Sequence, residues 1–254
     1  MSEENEKKFV GIQGDQFSFN HQAIKTVMLD ALGETDYAQL IEQMTEEKIA
    51  FLCNSYGVLL ALLEGDISYG QLATNNSIGG PVIETIEAML ALEGAADCMV
   101  VAETIMPINQ CLIVRDDAPH LNDIERIMSH PQSIKQCSEY IDELRLTNPL
   151  LKVESGNGEQ IDHARVARDL AKGDLPATVA VIGPEVLADH YSNLRVVKEG
   201  INQKGNLTVF ALLALKETLE RDFPDVDSEE LQTLGELCGI AAITIAKKDE
   251  LVMA

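Results

Sequence analysis

Three junctions in the sequence put a hydroxyl or glycine residue beside a proline where an extended segment should give way to a helix: Ser77 to Pro81, Ser129 to Pro131, and Gly183 to Pro184. Proline in the first turn of a helix forfeits no helical hydrogen bond. Each junction therefore predicts a helix amino terminus with uncommitted backbone amides, the local setting that seats a carboxylate or phosphate. Three of them in one chain point to a small anionic ligand. Lys135, one turn beyond Pro131, and Arg115, beyond Pro107, could supply counter-charge, although a lone cation is ordinarily solvated. Metal chemistry is not expected, because His21, His120, His130, His163 and His190 show neither H-x-H nor H-x-x-x-H spacing. His163, at a helix start, could donate to a carboxylate or act as an acid, against the commoner structural role of such a residue.

These loops need strands and helices to hold them. Strands are expected at Lys8 to Val10, Ile67 to Thr74, Met99 to Thr104 and Gln110 to Val114, with helices over Asn20 to Leu32, Glu46 to Leu63 and Val82 to Leu92. The alternation continues through strand Ile124 to Met128, helix Pro131 to Leu146, strand Leu151 to Glu154 and helix Ile161 to Ala171. It ends with strand Thr178 to Ile182, helix Pro184 to His190, and strands Leu194 to Val197 and Leu207 to Leu213. Such alternation predicts an α/β protein with mostly parallel sheets covered on both faces. The chain leaves one α/β unit near residue 110 and returns near 205, which predicts two lobes. Residues 1–110 and 205–254 would form the first, with a carboxyl-terminal extension, and residues 111–204 the second. A ligand would sit in the cleft between them. A helix is expected to start at Ser228, and the apolar stretch Leu237 to Ile245 would close the first lobe or pair subunits.

Composition narrows the partners. Forty-two acidic residues against 19 basic ones give a formal net charge of −23, which repels phosphate backbones and anionic membranes. Nucleic acid and membrane are therefore not expected as partners. The five cysteines are scattered, with no C-x-x-C pair, and read as buried thiols of a reducing compartment. The polar, acidic amino terminus offers no signal peptide and no apolar run is long enough to span a bilayer, so a cytoplasmic location is expected.

Specific motifs lie on this frame. Ser129, His130, Pro131, Gln132, Ser133, Ile134, Lys135, Gln136 and Cys137 closely resemble the S-H-P-Q-x-x-x-Q-C motif of prephenate dehydratases. Gly11, Gly14, Phe17, Ser18 and Ala23 resemble that family's opening G-x-x-G-x-[FY]-S-x-x-A-A. Here the match is one residue longer than the motif, or three if Asn20 to Ala23 is the true register. Tyr69 to Gly79 resembles Y-G-x-x-P-x-E-N-S-x-G. Glu103, Pro107, Gln110 and Leu112 resemble E-x-x-x-x-I-x-H-x-L, and Asn206 to Phe210 resembles N-x-T-R-F. The resemblance spans about residues 9 to 214, in the family's order.

What the resemblance implies is a two-lobed fold of the type II periplasmic-binding-protein kind, with a cleft between two mostly parallel sheets. It also implies a homodimer and a reaction that needs no metal or organic cofactor: prephenate loses water and carbon dioxide to give phenylpyruvate, a step of L-phenylalanine biosynthesis. It assigns the key hydroxyl to Thr208, which would help the ring hydroxyl depart as the carboxylate is lost. The matched motifs supply the candidate contacts to a small, dianionic, ring-bearing substrate: Ser18, Asn75, Asn76, Ser77, Gly79, Ser129, His130, Gln136, His163 and Asn206. His130 would shape its turn rather than bind metal. The chain after Leu213 is too short for the ACT domain that senses phenylalanine in the family, so feedback through one is not expected.

The departures are chemical. Val209 stands where N-x-T-R-F has arginine, removing a forked cation that would grip a carboxylate. Asn75 replaces the glutamate of E-N-S and Ala73 the proline before it, Gln110 replaces a histidine, and His163 replaces a threonine. Arg165, Lys135 or His163 would have to compensate for the lost cation. The leading reading is a lyase of the prephenate dehydratase type. The alternatives are a prephenate decarboxylase-like enzyme with a non-aromatic product and an inactive small-anion binding protein. A solute-binding protein of the same fold is disfavoured by the missing export signal.

Overall fold

The computed structural model describes residues 8–31, 48–156, 162–225, 227–228 and 231–239. Two sheets form, and each is buried on both faces. The first contains β1 (Lys8–Gln13), β2 (Ile49–Leu52), β3 (Ile67–Asn76), β5 (Met99–Pro107) and β11 (Leu207–Ala214), in the order β2-β1-β3-β11-β5. The two-residue β4 (Gly80–Pro81) folds back onto β3. The second contains β6 (Cys111–Arg115), β7 (Arg126–Met128), β8 (Lys152–Glu154), β9 (Val179–Gly183) and β10 (Leu194–Lys198), in the order β10-β6-β9-β7-β8.

Both sheets share one plan. In the first, β2, β1 and β3 run parallel, and β11 inserts antiparallel between β3 and β5. In the second, β8, β7 and β9 run parallel, and β6 inserts antiparallel between β9 and β10. The inserted strand is in each case the one that arrives from the other sheet. This is the two-lobed α/β architecture of the type II periplasmic-binding kind.

Strand composition explains the layering. β3 is buried over Ile67 to Leu72 on both faces, as a central strand under helices requires. On one face of the first sheet, α2 (Ser55–Leu63) and α3 (Ile83–Ala91) cover a core built on Val58, Leu62, Leu72 and Ala211. On the other, α1 (Phe19–Ala31) and α8 (Lys216–Asp222) cover Val10, Ile12, Tyr69 and Leu212. The second sheet is covered by α6 (His163–Lys172) and α7 (Val186–His190) on one side, and by α4 (Pro131–Gln136) and α5 (Ser138–Thr147) on the other. Beyond α8, Leu234 and Cys238 pack into the first core. The Leu234 amide donates to the Cys98 carbonyl and the Val100 amide to the Gln232 carbonyl, which occupies backbone groups along β5. Most of the apolar stretch Leu237 to Ile245 lies outside the described residues.

Several expectations are corrected. Glu46 to Leu63 is not one helix: Ile49–Leu52 pairs with Val10 to Gln13, and the helix starts only where Asn54 accepts from the Gly57 amide at 2.8 Å. A four-residue apolar run fits either element by periodicity, and pairing to β1 decides. Pro131 to Leu146 is broken at Cys137, whose amide is shared between the Ser133 and Ile134 carbonyls. The break leaves the Gln136 carbonyl to accept from the Gln203 amide. Of the three prolines expected at first helical positions, Pro131 alone is there. Pro81 lies in β4, and α7 starts two residues beyond Pro184. Four cysteines are buried as expected, and Cys53 is exposed. Burial pushes the Cys137 thiol up to about 12 and the Cys98 thiol up to about 11, which leaves both protonated and unreactive at neutral pH.

Two crossings join the sheets, residues 108–110 and 199–206, and Asn202 stitches them together. Its Nδ2 donates to the Ile108 carbonyl at 3.0 Å and its Oδ1 accepts from the Gln110 amide at 2.7 Å. The Ile108 amide donates to the Asn206 carbonyl at 2.8 Å. Among the described residues, no helix is long and apolar enough to cross a membrane.

Candidate functional site

A cavity of about 100 Å³ lies between the sheets at the end where these crossings meet. Its floor comes from β11, where Thr208 and Phe210 line it together. Thr208 is 7% exposed, and its Oγ1 accepts from Asn76 Nδ2 at 2.8 Å. The register of β11 on β3 makes this contact possible, since Thr208 lies directly opposite Asn76. The same amide group donates to Asn206 Oδ1 at 2.7 Å, and Asn76 Oδ1 accepts from the amides of Ile78 and Gly79 at 3.0 and 2.7 Å. Asn76 is thereby fixed in orientation from both ends, and the Thr208 oxygen with it. The hydroxyl hydrogen of Thr208 is left to act as a donor.

The lobes meet along two seams. On one, Glu84 at the start of α3 faces His130, the N-cap of α4. The two approach to 3.6 Å at Nε2, while His130 Nδ1 accepts from the Gln132 amide at 3.2 Å. Burial pushes the Glu84 carboxyl up. The His130 imidazole, the Ser55 amide and the Gln13 side chain outweigh that, and the net shift is downward. Glu84 is therefore an anion at neutral pH, on the cavity wall.

On the other seam, the loop after β1 reaches α6. Asp162 Oδ2 accepts from the Asp15 amide at 2.8 Å, and its Oδ1 accepts from the Ala164 amide at 3.4 Å as the N-cap of α6. The Asp15 carboxylate takes Arg168 at 2.5 Å and lies 3.9 Å from Arg165. Phe17 stacks on His190 with ring centroids 4.0 Å apart. The chain makes this turn through Gly14 and Phe17, both with positive φ, a conformation that costs glycine nothing and phenylalanine some strain.

Two walls carry unsatisfied polar atoms. Gln110 is 1% exposed; its Nε2 donates to Ser133 Oγ at 3.0 Å and to Gln136 Oε1 at 3.2 Å, and its Oε1 has no hydrogen-bond partner. His163 is 6% exposed, and neither ring nitrogen has a hydrogen-bond partner. Burial pushes the His163 pKa down against the opposing pull of Asp162, so the ring is neutral at pH 7.

The structure gathers Ser18, Asn76, His130, Gln136, His163 and Thr208 around this cavity. The other residues named from the motifs lie elsewhere. Ser77 is exposed; its hydroxyl donates to the Gly205 carbonyl at 2.7 Å and accepts from the Leu207 amide at 2.8 Å, so it pins a loop. Ser129 is fully buried and donates to the Ile182 carbonyl at 2.6 Å, tying β7 to β9. Both hydroxyls are spent on backbone, which corrects the expectation that they converge on a ligand. Asn206 buttresses Asn76 from behind the lining, and Gly79 packs against Gln132 across the cleft, where an added Cβ would collide. Asn75 is exposed on the opposite face of β3. Neither Lys135, which is exposed, nor Arg165 lines the cavity.

The missing arginine takes on a different meaning in this register. Val209 lies opposite Asn75 on β3 and faces away from Thr208. The motif's arginine and glutamate would thus sit side by side across two strands, a cross-strand ion pair outside the cavity. Valine and asparagine at these positions take no charge from the lining, since neither residue is part of it.

Sequence reading missed Glu84, Asp162, Gln13 and Ser133 as lining residues. Glu84 stands on a helix that reads as an ordinary amphipathic one, and only His130 arriving from the other lobe distinguishes it. Ser133 lay inside the S-H-P-Q motif and was legible there. Among the described residues that line the cavity there is no lysine or arginine, and there are two carboxylates, Glu84 and Asp162.

Comparison with known proteins places this architecture. The prephenate dehydratase family model matches residues 10–218. The bifunctional chorismate mutase/prephenate dehydratase of Buchnera aphidicola subsp. Schizaphis graminum is 26% identical over 219 residues, covering 85% of this chain and 53% of that protein. The prephenate dehydratase of Methanocaldococcus jannaschii is 27% identical over 165 residues, covering 65% of this chain and 54% of that one. The chain thus spans about half the length of these relatives. A solved prephenate dehydratase from Arthrobacter aurescens, in complex with L-Phe, superposes with a TM-score of 0.61 at 22% identity, over 82% of this chain and 60% of its own. With its family model matched over most of its length, the chain belongs to the prephenate dehydratase family.

Proposed function

We propose that the cleft is the active site of a lyase of the prephenate dehydratase type, acting on prephenate or a close ring-bearing acid. The observation that carries this reading is the Thr208 hydroxyl, buried on the cavity floor and held in place by Asn76 at 2.8 Å. The reaction asks little of the protein beyond such a group. As the ring carboxylate leaves as carbon dioxide, its bonding electrons form the last ring double bond, and the hydroxyl on the far ring carbon leaves with a proton as water. Aromatisation supplies the driving force. A fixed donor at the departing oxygen stabilises the charge that develops there, and an orienting cavity does the rest. Assembly as a homodimer belongs to the same proposal and is checked by light scattering.

The test is incubation of the purified protein with prephenate while the ultraviolet spectrum is followed. Appearance of phenylpyruvate supports the reading. A non-aromatic keto acid would identify decarboxylation without loss of the hydroxyl, and binding without turnover would make the cleft a receptor for a small acid.

A further inference from the structure

We infer that Gln110 orients the ring hydroxyl of the substrate: its Oε1 accepts the hydrogen of that hydroxyl and so turns the oxygen lone pairs toward the Thr208 donor. The inference rests on the lyase reading of the cleft and adds a specificity-determining contact to it.

Two independent observations lead to it. The first is an acceptor without a partner. Gln110 is 1% exposed and lines the cavity, and its Oε1 has no hydrogen-bond partner, which is costly for a buried polar atom. Its Nε2 is engaged by Ser133 Oγ and Gln136 Oε1, so the carboxamide is held with the oxygen as its unused end. Two other lining residues carry empty acceptors and are less selective: Asn20 is only half-buried, and His163 offers a donor as well as an acceptor. The second is placement. The Ile108 amide donates to the Asn206 carbonyl at 2.8 Å, and Gln110 and Thr208 each follow that tie by two residues. Both side chains therefore line the cavity at the end where the two crossings meet.

The chemistry of the substrate selects the group that fits. Prephenate at neutral pH presents two carboxylates and a ketone, which only accept, and one ring hydroxyl, its single donor. A fixed acceptor beside a fixed donor is the complement of that hydroxyl. The contact transfers no proton, and the hydroxyl keeps its hydrogen as its bond to the ring breaks. The same logic accounts for the exchange of residue type at this position. Histidine, which the E-x-x-x-x-I-x-H-x-L motif has there, offers one donor and one acceptor when neutral. Gln110 supplies the same pair, with its N–H groups toward α4 and its oxygen left for the ligand.

The experiment compares two ring-saturated analogues of prephenate that cannot aromatise, one with the ring hydroxyl and one with hydrogen in its place. Their Kd values are measured by calorimetry in the wild-type protein, in Gln110→Met and in Gln110→His, beside turnover of prephenate itself. The wild-type protein is expected to bind the hydroxyl analogue at least about fivefold tighter, the worth of one buried hydrogen bond. Gln110→Met, of similar length and with no oxygen acceptor, is expected to bring the two within about twofold and to lower kcat/KM for prephenate at least about fivefold. Gln110→His is expected to keep the preference, which separates a lost contact from a disturbed fold. Equal wild-type affinity for the two analogues, or affinity for neither, would overturn the inference. An undiminished preference in Gln110→Met would do so too, as would a preference lost equally in both variants. Absence of phenylpyruvate from prephenate in the wild-type protein would overturn the lyase reading instead, whatever the analogues show.

Discussion

The two seams between the lobes are built from similar residue types and end in different states. Along the Asp15 to Asp162 seam each carboxylate is matched: Asp162 takes two backbone amides, Asp15 takes Arg168, and two rings stack beside them. Along the Glu84 to His130 seam the approach is 3.6 Å, and both side chains face the cavity. A closed seam is satisfied by the protein and holds the lobes at a set angle. On the other seam Glu84 accepts from Gln13 Nε2 at 3.0 and 3.1 Å and from the Ser55 amide at 3.2 Å, all within its own lobe, and meets His130 across the cleft only at ion-pair distance, while the unpartnered atoms, Gln110 Oε1 and the His163 nitrogens, lie in the cavity between the seams. Exposure alone would not reveal this, because the atoms that lack partners are buried.

The largest blow to this contrast should come from Asp162→Ala. A half-buried amide at 2.8 Å and a buried one at 3.4 Å lose their acceptor, and we expect a stability loss of about 1–3 kcal/mol, read as a lower midpoint in urea. A loss below about 0.5 kcal/mol would show that the closed seam does not hold the lobes. Between the seams, Thr208→Ala should lower kcat at least about tenfold with an unaltered melting temperature, since it removes a donor that acts on the departing hydroxyl. Unchanged turnover would strip the floor of its role.

The pH dependence sharpens the comparison. His163 has a folded-state pKa below its ordinary 6.5, so the folded form resists protonation. The associated stability is complete above pH 6.5 and drains away as the pH falls through the depressed value. His163→Gln should flatten the melting profile in that window, checked by calorimetry from pH 7 to pH 5. Glu84, also lowered, acts in the same sense, its contribution beginning to drain only below its ordinary 4.5.

The smallest effect belongs outside the cleft. Restoring the cross-strand pair as Asn75→Glu with Val209→Arg should stabilise by about 0.5–1 kcal/mol relative to the sum of the single changes, in a double-mutant cycle on unfolding. Turnover should stay within about twofold. A large gain in turnover from Val209→Arg alone would return that position to the active site.

Much of the frame was legible because strands buried on both faces advertise themselves. Ile67 to Leu72 and Cys111 to Val114 have no other stable use, and the glycine and proline punctuation between them marks the turns. The same reading failed at Ile49 to Leu52, where four apolar residues fit a helix until the neighbouring strand is known. Within the site, the S-H-P-Q run located His130 and Gln136, passed over Ser133, and could not tell a contact from a scaffold. Ser129 and Ser77 tie backbone together, and no one-dimensional pattern records where a hydroxyl hydrogen goes. Glu84 was invisible for a related reason: its significance depends on what the second lobe brings opposite it.

Asn202 clamps both strands that pass between the lobes, and it does so at the backbone amide of Gln110, whose side chain ends in the cavity. One residue therefore belongs to the pivot and to the ligand chamber at once. A molecule that bonds to that carboxamide therefore touches, through one residue, the hydrogen-bonded backbone that joins the two lobes.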